Sequence, residues 1–597
     1  MRRNLFIGIL CLLLIQSSSI AAPHGAVGGG VNQKMDLDSL KRLELEKRVT
    51  KPEKTEAIDE SQFEAEVQRD VLMDDGSIYN PQFSLTKVNF EGNTVIKTKD
   101  LEALAAELEG KDVYFEDLLD FATQVTKFYQ SKGYLTSFAL IPEQVIRDGQ
   151  VTVLITESRI ANLNISGERW ARDWYLRKIV MGKKGVREGD VFNAVALQNA
   201  MKELNERDYI SGSTAVHKSQ ETQLTEIDLD IADRFPLNLD MNWDNYGRSV
   251  TGTQRFTAIA GIDNLTGFGD RIYGGTILSS GSTGLLAGYD IPISPYGTRL
   301  GYDFMYSRIK LGGDLADLKI KGNSHSHFFK VTHPFIKTAK ADLIGTIGFD
   351  FSHTESELGL FPGSPKLSDY DLRVLRANLY GMRNDQYGRW IGTLGGDFGF
   401  NALGASGTSS GGQKSQFIKL LASAIRVHRL PLDSIGILRI NGQYSPDKLY
   451  AMEQIQLGGP YTLRGYQPAE IIGDSGVTGT AEIRFPIPFF RALLPQKLEF
   501  LEERIRLAAF YDFGWIKDNG NLYGYPKDFL HSVGGGLYVN LTEYLSAQFG
   551  LGFPMGSKEY GEKSCRFYFG VNTELDKAIP LRSKQRELEV DNTPEST

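Results

Sequence analysis

Two hydrophobic periods divide the chain. Between residues 81 and 233, apolar positions spaced for strands and for helices alternate in one order, strand, helix, helix, strand, strand, and the order occurs twice. In the first unit, residues 81–157, Ser84 to Glu91 reads as a strand closed by Gly92-Asn93, and Leu101 to Leu108 as a short helix. Leu118, Ala122, Val125 and Tyr129 line one face of a second helix, which Gly133 stops where a left-handed C-cap is needed. Tyr134 to Leu140 and Val151 to Thr156 complete the unit as strands. The second unit, residues 158–233, places strands at Ile160 to Ser166, Thr214 to Lys218 and Leu224 to Ile231, with helices near Trp170 to Met181 and Ala194 to Asp208. Two consecutive α+β units of one plan imply a diverged repeat.

Beyond Phe235 the helical period gives way to stretches of about ten residues that alternate apolar with polar or small. Leu237, Leu239, Met241 and Trp243 form one such row, and Phe567, Phe569 and Val571 another. Turn residues separate the rows, among them Tyr296-Gly297, Pro431-Leu432-Asp433 and the hairpin-type pair Asn519-Gly520. Aromatic residues gather near row ends, while Gly, Ser and charged residues occupy the alternate positions, the pattern of a lipid-facing wall around a wet interior. Residues 234–575 have room for about sixteen antiparallel strands, at ~10 residues per strand with a connection of similar length. The predicted fold is therefore two α+β repeats followed by an all-β transmembrane barrel. After the first twenty residues no apolar run is long enough for a spanning helix, so a membrane crossing would have to be a barrel.

The N-terminus has the layout of a cleaved secretory signal over residues 1–22: Arg2 and Arg3, an apolar run from Leu5 to Ile15, then Ser19-Ile20-Ala21-Ala22. Cys11 lies inside the apolar run, so cleavage would leave Cys565 as a single thiol with no internal partner for a disulfide. Residues 23–80 are polar, with one helix-like piece from Asp36 to Val49 in which Leu37, Leu40 and Leu43 form a thin apolar stripe. By composition this stretch reads either as a solvated leader or as a weakly amphipathic helix with a linker from Thr50 to Glu66. Residues 576–597 form a polar C-terminal tail. The net charge of -8, without a basic stretch suited to phosphate contacts, argues against a nucleic-acid partner.

Several blocks resemble the TpsB transporters of two-partner secretion, the hemolysin secretion and activation type, within the superfamily of BamA-like outer-membrane translocases. The first unit is similar to a POTRA domain at Gly92-Asn93, Gly133-Tyr134, Ile141-Pro142 and Gly149-Gln150-Val151. The barrel entrance matches at Asp244-Asn245-Tyr246-Gly247, Arg255, Asp263-Asn264-Leu265 and Gly269-Asp270. The most specific block runs from Gln443-Tyr444-Ser445 through Glu453-Gln454, Leu457-Gly458-Gly459 and Thr462-Leu463-Arg464-Gly465-Tyr466 to Gly473-Asp474-Ser475-Gly476 and Glu482.

The resemblance implies that Arg464, Gly465 and Tyr466 form the tip of the sixth extracellular loop, folded back into the pore. There Arg464 is expected to meet Asp512 in Phe510-Tyr511-Asp512-Phe513-Gly514 of the barrel wall, with Gly458, Gly459, Asp474, Gly476, Glu482 and Gly514 as further motif positions. A guanidinium in a narrow pore needs an oriented carboxylate, and a bidentate Arg–Asp bond is directional; the alternative for Arg464 is a lumen charge that tunes conductance. Residues 36–49 would correspond to a plug helix. The implied function is secretion of an unfolded TpsA-like exoprotein across the outer membrane of a Gram-negative cell, with POTRA domains in the periplasm. The implied partners are that exoprotein, outer-membrane lipid, periplasmic chaperones and the barrel assembly machinery; no cofactor or metal is implied.

Other classes fit less well. A BamA-like assembly factor is the alternative, and it would be expected to carry more than two POTRA units. An enzyme lacks support: there is no Gly-x-Ser-x-Gly elbow, and the nearest approach to a Walker A motif, Gly407 to Gly412 followed by Gln413-Lys414-Ser415, has Gln where the lysine should stand. His325, His327 and His333 lack the accompanying Cys or carboxylate set of a metal site.

Overall fold

The computed structural model describes residues 80–575 apart from 208, 219–223, 295–296, 339, 361–365, 409–411, 487–503, 521–528 and 556–564. The signal segment 1–22, the helix-like piece 36–49 with its linker, Tyr296, part of the Gly407 to Gly412 loop and the tail 576–597 lie outside the described residues. The chain divides into two compact units at Pro236/Leu237.

The first unit opens on β1 (Gln82–Leu85) and β2 (Lys87–Glu91), so the single predicted strand is two. The break falls at Thr86, where the Thr86 and Lys87 amides both donate to the Gly149 carbonyl and the chain changes partner. Then follow α1 (Thr98–Ala105), β3 (Lys111–Tyr114), α2 (Phe115–Ser131), β4 (Phe138–Leu140) and β5 (Gln150–Thr156). β1 pairs with β3, a ribbon the sequence pattern did not announce, while β2 runs parallel to β5 and β4 antiparallel to it. The buried face of α2 carries Leu118, Phe121, Ala122, Val125 and Tyr129, and the Asp117 carboxylate accepts the Tyr114 amide at 2.7 Å, which caps the helix start. Gly133 has φ +90°, the left-handed value its place after the helix predicts.

The next elements are β6 (Arg159–Ser166), α3 (Asp173–Val180), α4 (Ala194–Asn205), β7 (Ile210–Lys218) and β8 (Leu224–Asp233). β8 lies between β6, parallel to it, and β7, antiparallel, so the second module repeats the topology of the first. Its core is Leu163, Leu176, Phe192, Leu197, Leu204 and Leu229, all fully buried. Asn193 ties the modules together: its side chain caps α4 by accepting from the Ala196 amide and donates to the Lys132 carbonyl, and the Ala194 amide donates to the Gly133 carbonyl.

The second unit is a closed barrel. Its strands are β9 (Leu237–Asp244), β10 (Arg255–Asp263), β11 (Arg271–Leu278), β12 (Ser282–Pro292), β13 (Arg299–Lys310), β14 (Lys321–Lys337), β15 (Ala341–Glu357), β16 (Lys366–Asp385), β17 (Gly388–Gly399), the short β18 (Ser406–Thr408), β19 (Phe417–Arg429) and β20 (Ile435–Tyr444). The short pair β21 (Ile455–Leu457) and β22 (Ile471–Gly473) comes next, followed by β23 (Ser475–Pro486), β24 (Ile505–Lys517), β25 (Phe529–Asn540), β26 (Leu545–Pro554) and β27 (Arg566–Glu574). Sixteen of these, among the described residues, make up the antiparallel wall, and β27 pairs back onto β9.

The alternation sorts the two faces as its period requires. Along β9, Trp243 is exposed on the outer face, whereas Asp244 is fully buried on the inner one and holds Arg255 through both carboxylate oxygens at 2.9 and 3.1 Å. Exposed Leu285, Leu300, Phe329, Leu394, Leu420 and Leu438 continue the apolar exterior around the wall. The Asn519-Gly520 pair does not make a two-residue hairpin: β24 ends at Lys517, β25 begins at Phe529, and the Asn519 amide donates to the Asp474 carboxylate. Pro431 to Asp433 is a tight turn, with Leu432 and Asp433 both at positive φ.

Candidate functional site

The connection from β20 to β23, residues 445–474, is ordered throughout, and it folds onto the inner face of the wall. Its stem is the β21–β22 pair, registered from Ile455 opposite Gly473 to Leu457 opposite Ile471. Beyond the stem the chain turns sharply at Gly458 and Gly459, which have φ +108° and +92°. A Cβ at Gly458 would stand 1.9 Å from the Gln467 carbonyl oxygen, so only glycine fits. Leu457, Leu463, Tyr466 and Ile471 of the loop pack with Ile516 and Leu530 of the wall in one fully buried cluster. Burial of this apolar face draws the loop to the wall without fixing the position of its tip.

The tip is positioned by polar contacts. Arg464 Nε and Nη2 each donate to Asp512 at 2.8 Å, one to each carboxylate oxygen, and the Arg464 amide adds a third bond at 3.1 Å. Arg464 Nη1 donates to Glu482 at 2.5 Å, and the guanidinium carbon lies 3.3 Å from the centre of the Phe510 ring. Glu482 in turn accepts from Arg484 at 2.6 Å and from the Tyr538 hydroxyl at 3.0 Å. Three neighbouring strands, β23, β24 and β25, thus supply the groups that grip one arginine. A planar donor set matched by two carboxylates and an aromatic face fixes orientation as well as charge.

Several participants carry no local signal in the sequence. The Tyr568 hydroxyl accepts the Gly465 amide and donates to the Tyr466 carbonyl, both at 2.9 Å, and so clips the backbone of the tip to β27. Tyr466 reaches the His531 carbonyl with its hydroxyl at 3.2 Å. Gly552 of β26 matters by what it lacks: a Cβ there would fall 2.5 Å from the Gly465 nitrogen. Only the alternation of small residues on β26 hints at such a position, and that alternation does not tell which glycine faces the loop.

The remaining motif positions act nearer the two ends of the loop. Asp474 is buried and accepts from the Leu449 amide, Gln454 Nε2 and the Asn519 amide, joining both ends of the loop to the turn after β24. Burial raises its carboxyl above the usual range. Gly514 leaves room for Leu457, whose Cδ2 would be 2.8 Å from an added Cβ, and Gly476 lies against the Trp515 carbonyl. On the far wall Glu453 meets Arg376 at 2.7 Å and also pairs with Lys419. Arg376 reaches Asp350 and Asp397, each at 2.7 Å, and Lys419 is 3.0 Å from Asp397. The structure therefore brings Arg464, Asp512 and Glu482 into direct contact, while Glu453 holds a separate cluster. His325 lies near both His327 and His353, whereas His333 is bonded to Thr298, so the three sequence candidates do not converge on one point.

A closed barrel with an apolar exterior, a charged interior and an inward-folded, arginine-tipped loop, preceded by two α+β modules, defines the class of outer-membrane transporters with a periplasmic portion. The chain belongs to the haemolysin secretion/activation protein ShlB/FhaC/HecB family, whose description matches residues 223–539, and a ShlB-type POTRA domain matches residues 83–158. It is thus an outer-membrane two-partner secretion transporter with its POTRA portion in the periplasm.

Among curated relatives, the heme/hemopexin transporter protein HuxB of Haemophilus influenzae is 24% identical over 76% of this chain and 81% of its own length. The outer membrane transporter CdiB of Dickeya dadantii is 24% identical over 85% of this chain and 91% of its own. The structure of CdiB from Escherichia coli superposes with a TM-score of 0.70 at 19% identity, covering 92% of this chain and 98% of that one. CdiB from Acinetobacter baumannii gives 0.65 at 16%, over 92% and 99%. These likenesses show the same fold.

Proposed function

We propose that this protein recognises an unfolded, TpsA-like exoprotein in the periplasm and passes it through the barrel to the cell surface, without nucleotide hydrolysis. In this reading residues 81–157 and 158–233 are two POTRA domains, residues 234–575 the conducting barrel and residues 36–49 a plug. The observation that carries it is the grip of Asp512 and Glu482 on Arg464, which keeps an extracellular connection inside the pore, as a transporter that must stay closed at rest requires. Extended segments of the exoprotein would add to free sheet edges, for which backbone pairing tolerates many sequences. In the second module both outer strands, β6 and β7, have one edge without a strand partner among the described residues. Folding outside the cell would bias movement outward, consistent with the lack of a Walker A lysine. Periplasmic chaperones would keep the cargo extended, and the barrel assembly machinery would insert the transporter.

The test is secretion itself. Cells that make the exoprotein encoded with this transporter should release it only when the transporter is present, and release without the transporter would refute the proposal. Deletion of residues 24–50 should raise conductance in planar bilayers; unchanged conductance removes the plug assignment alone.

A further inference from the structure

The second periplasmic module exposes an aromatic and basic surface that neither its core nor the loop lock uses. Trp170 is 48% exposed, Trp174 40% and Phe235 43%, in a module whose other large apolar side chains are mostly buried. The Trp170 and Phe235 rings meet edge to face with centroids 5.2 Å apart, and Arg169 lies over Trp170. Two exposed aromatic residues in contact with each other, rather than with a core, form a surface and not a packing defect.

Its position is built. The Asp233 carboxylate, 1% exposed at the end of β8, accepts the backbone amides of Arg169, Trp170 and Ala171 at 2.7–3.2 Å. That grip fixes the turn before α3 beside the strand that leads out of the module. Phe235 is two residues from Asp233 and two from Leu237, where β9 begins, so the chain itself holds it within about 7 Å of the barrel's first strand. In β9 the outward row Leu237, Leu239, Met241 and Trp243 is apolar from its first member.

The surrounding charge is positive in a chain of net charge -8. From Glu168 to Arg187 there are seven basic residues, Arg169, Arg172, Arg177, Lys178, Lys183, Lys184 and Arg187, against two acidic ones, Glu168 and Asp173. Arg177 is paired with Asp173 and Lys183 with Glu203, while Arg172, Lys178, Lys184 and Arg187 are exposed. Exposed tryptophans among cations suit the headgroup layer of an anionic membrane, where aromatic rings settle and basic side chains meet phosphates.

We propose that Trp170, Trp174 and Phe235, with Arg172 and Lys178, seat the second module on the anionic phospholipid of the periplasmic leaflet. The alternative occupant, the exoprotein, would use the same exposed rings, and the experiment separates the two.

Full-length protein in which Trp243, Trp390 and Trp515 are replaced by Phe retains two of the chain's five tryptophans, Trp170 and Trp174. This protein is reconstituted into nanodiscs of phosphatidylethanolamine and phosphatidylglycerol whose acyl chains carry bromine either just below the headgroup or near the chain end. The proposal expects loss of most of the tryptophan emission with shallow bromine and little loss with deep bromine. Arg172→Glu combined with Lys178→Glu should restore much of that emission. Emission untouched by either lipid overturns the proposal. So does emission untouched by lipid that shifts to the blue when the purified N-terminal domain of the exoprotein is added, because the surface would then belong to the cargo.

Discussion

The two ends of the inward-folded loop are anchored by different kinds of charge cluster. At the tip, Arg464 and Arg484 face Asp512 and Glu482, two cations against two carboxylates. At the base, Arg376 and Lys419 face Asp350, Asp397 and Glu453, two cations against three carboxylates. The tip is balanced, so loss of either carboxylate leaves buried positive charge with too few partners. The base has acid to spare, and neutralising Glu453 brings its named contacts to two against two. A balanced cluster is brittle and an over-supplied one is tolerant, so the tip should yield to a single substitution more readily than the base.

That contrast can be broken by experiment. Asp512→Ala should have the largest effect, about 3–5 kcal/mol against the docked loop, because it removes one partner of a buried pair. Secreted exoprotein should fall sharply while heat-modifiable mobility shows an inserted barrel. Normal secretion by both this variant and Arg464→Ala would end the lock reading. Gly552→Ala should come next, at about 1–3 kcal/mol, since its methyl group intrudes on the Gly465 backbone without touching any charge. Protease cleavage at an engineered site near residue 460 would report the displaced tip.

Glu453→Gln should cost about 1–2 kcal/mol, because the remaining base charges still pair with one another. If it lowers secretion as far as Asp512→Ala does, the two ends are equivalent and the comparison fails. Tyr568→Phe should cost about 1–2 kcal/mol for two neutral hydrogen bonds and leave every charge in place, visible as more frequent openings in single-channel records.

The barrel was legible because its wall repeats a simple rule. Leu237, Leu239, Met241 and Trp243 alternate with Asn238, Asp240, Asn242 and Asp244, and any strand between lipid and water must do likewise. The Arg464–Asp512 contact was expected through the family resemblance, and the structure shows the two side chains in contact. What stayed hidden depended on the closure of the cylinder. Tyr568 is 102 positions from Tyr466 and meets it because β27 returns to β9. Arg376 is one of many charges on an inward face, and nothing local says that Glu453, 77 positions later, is its partner. The ribbon of β1 with β3 was missed for a local reason. Ser84 to Glu91 passes for one strand because it is rich in alternating apolar positions, yet its parity shifts at the two polar residues Thr86-Lys87, between Leu85 and Val88, and there both amides turn to the Gly149 carbonyl and the strand divides.

The wall is also of unequal height. β14 and β15 have 17 residues each and β16 has 20, whereas β9 has 8 and β27 has 9. At ~3.4 Å per residue and a tilt near 40°, the longest strand climbs about 50 Å along the axis, roughly twice the ~25 Å apolar band of such barrels. By the same arithmetic the strands beside the closing seam climb only about 21–23 Å, just short of that band. Among the described strands the wall is therefore a parapet along β14 to β16 and low beside the seam, so whatever approaches that rim meets the parapet first.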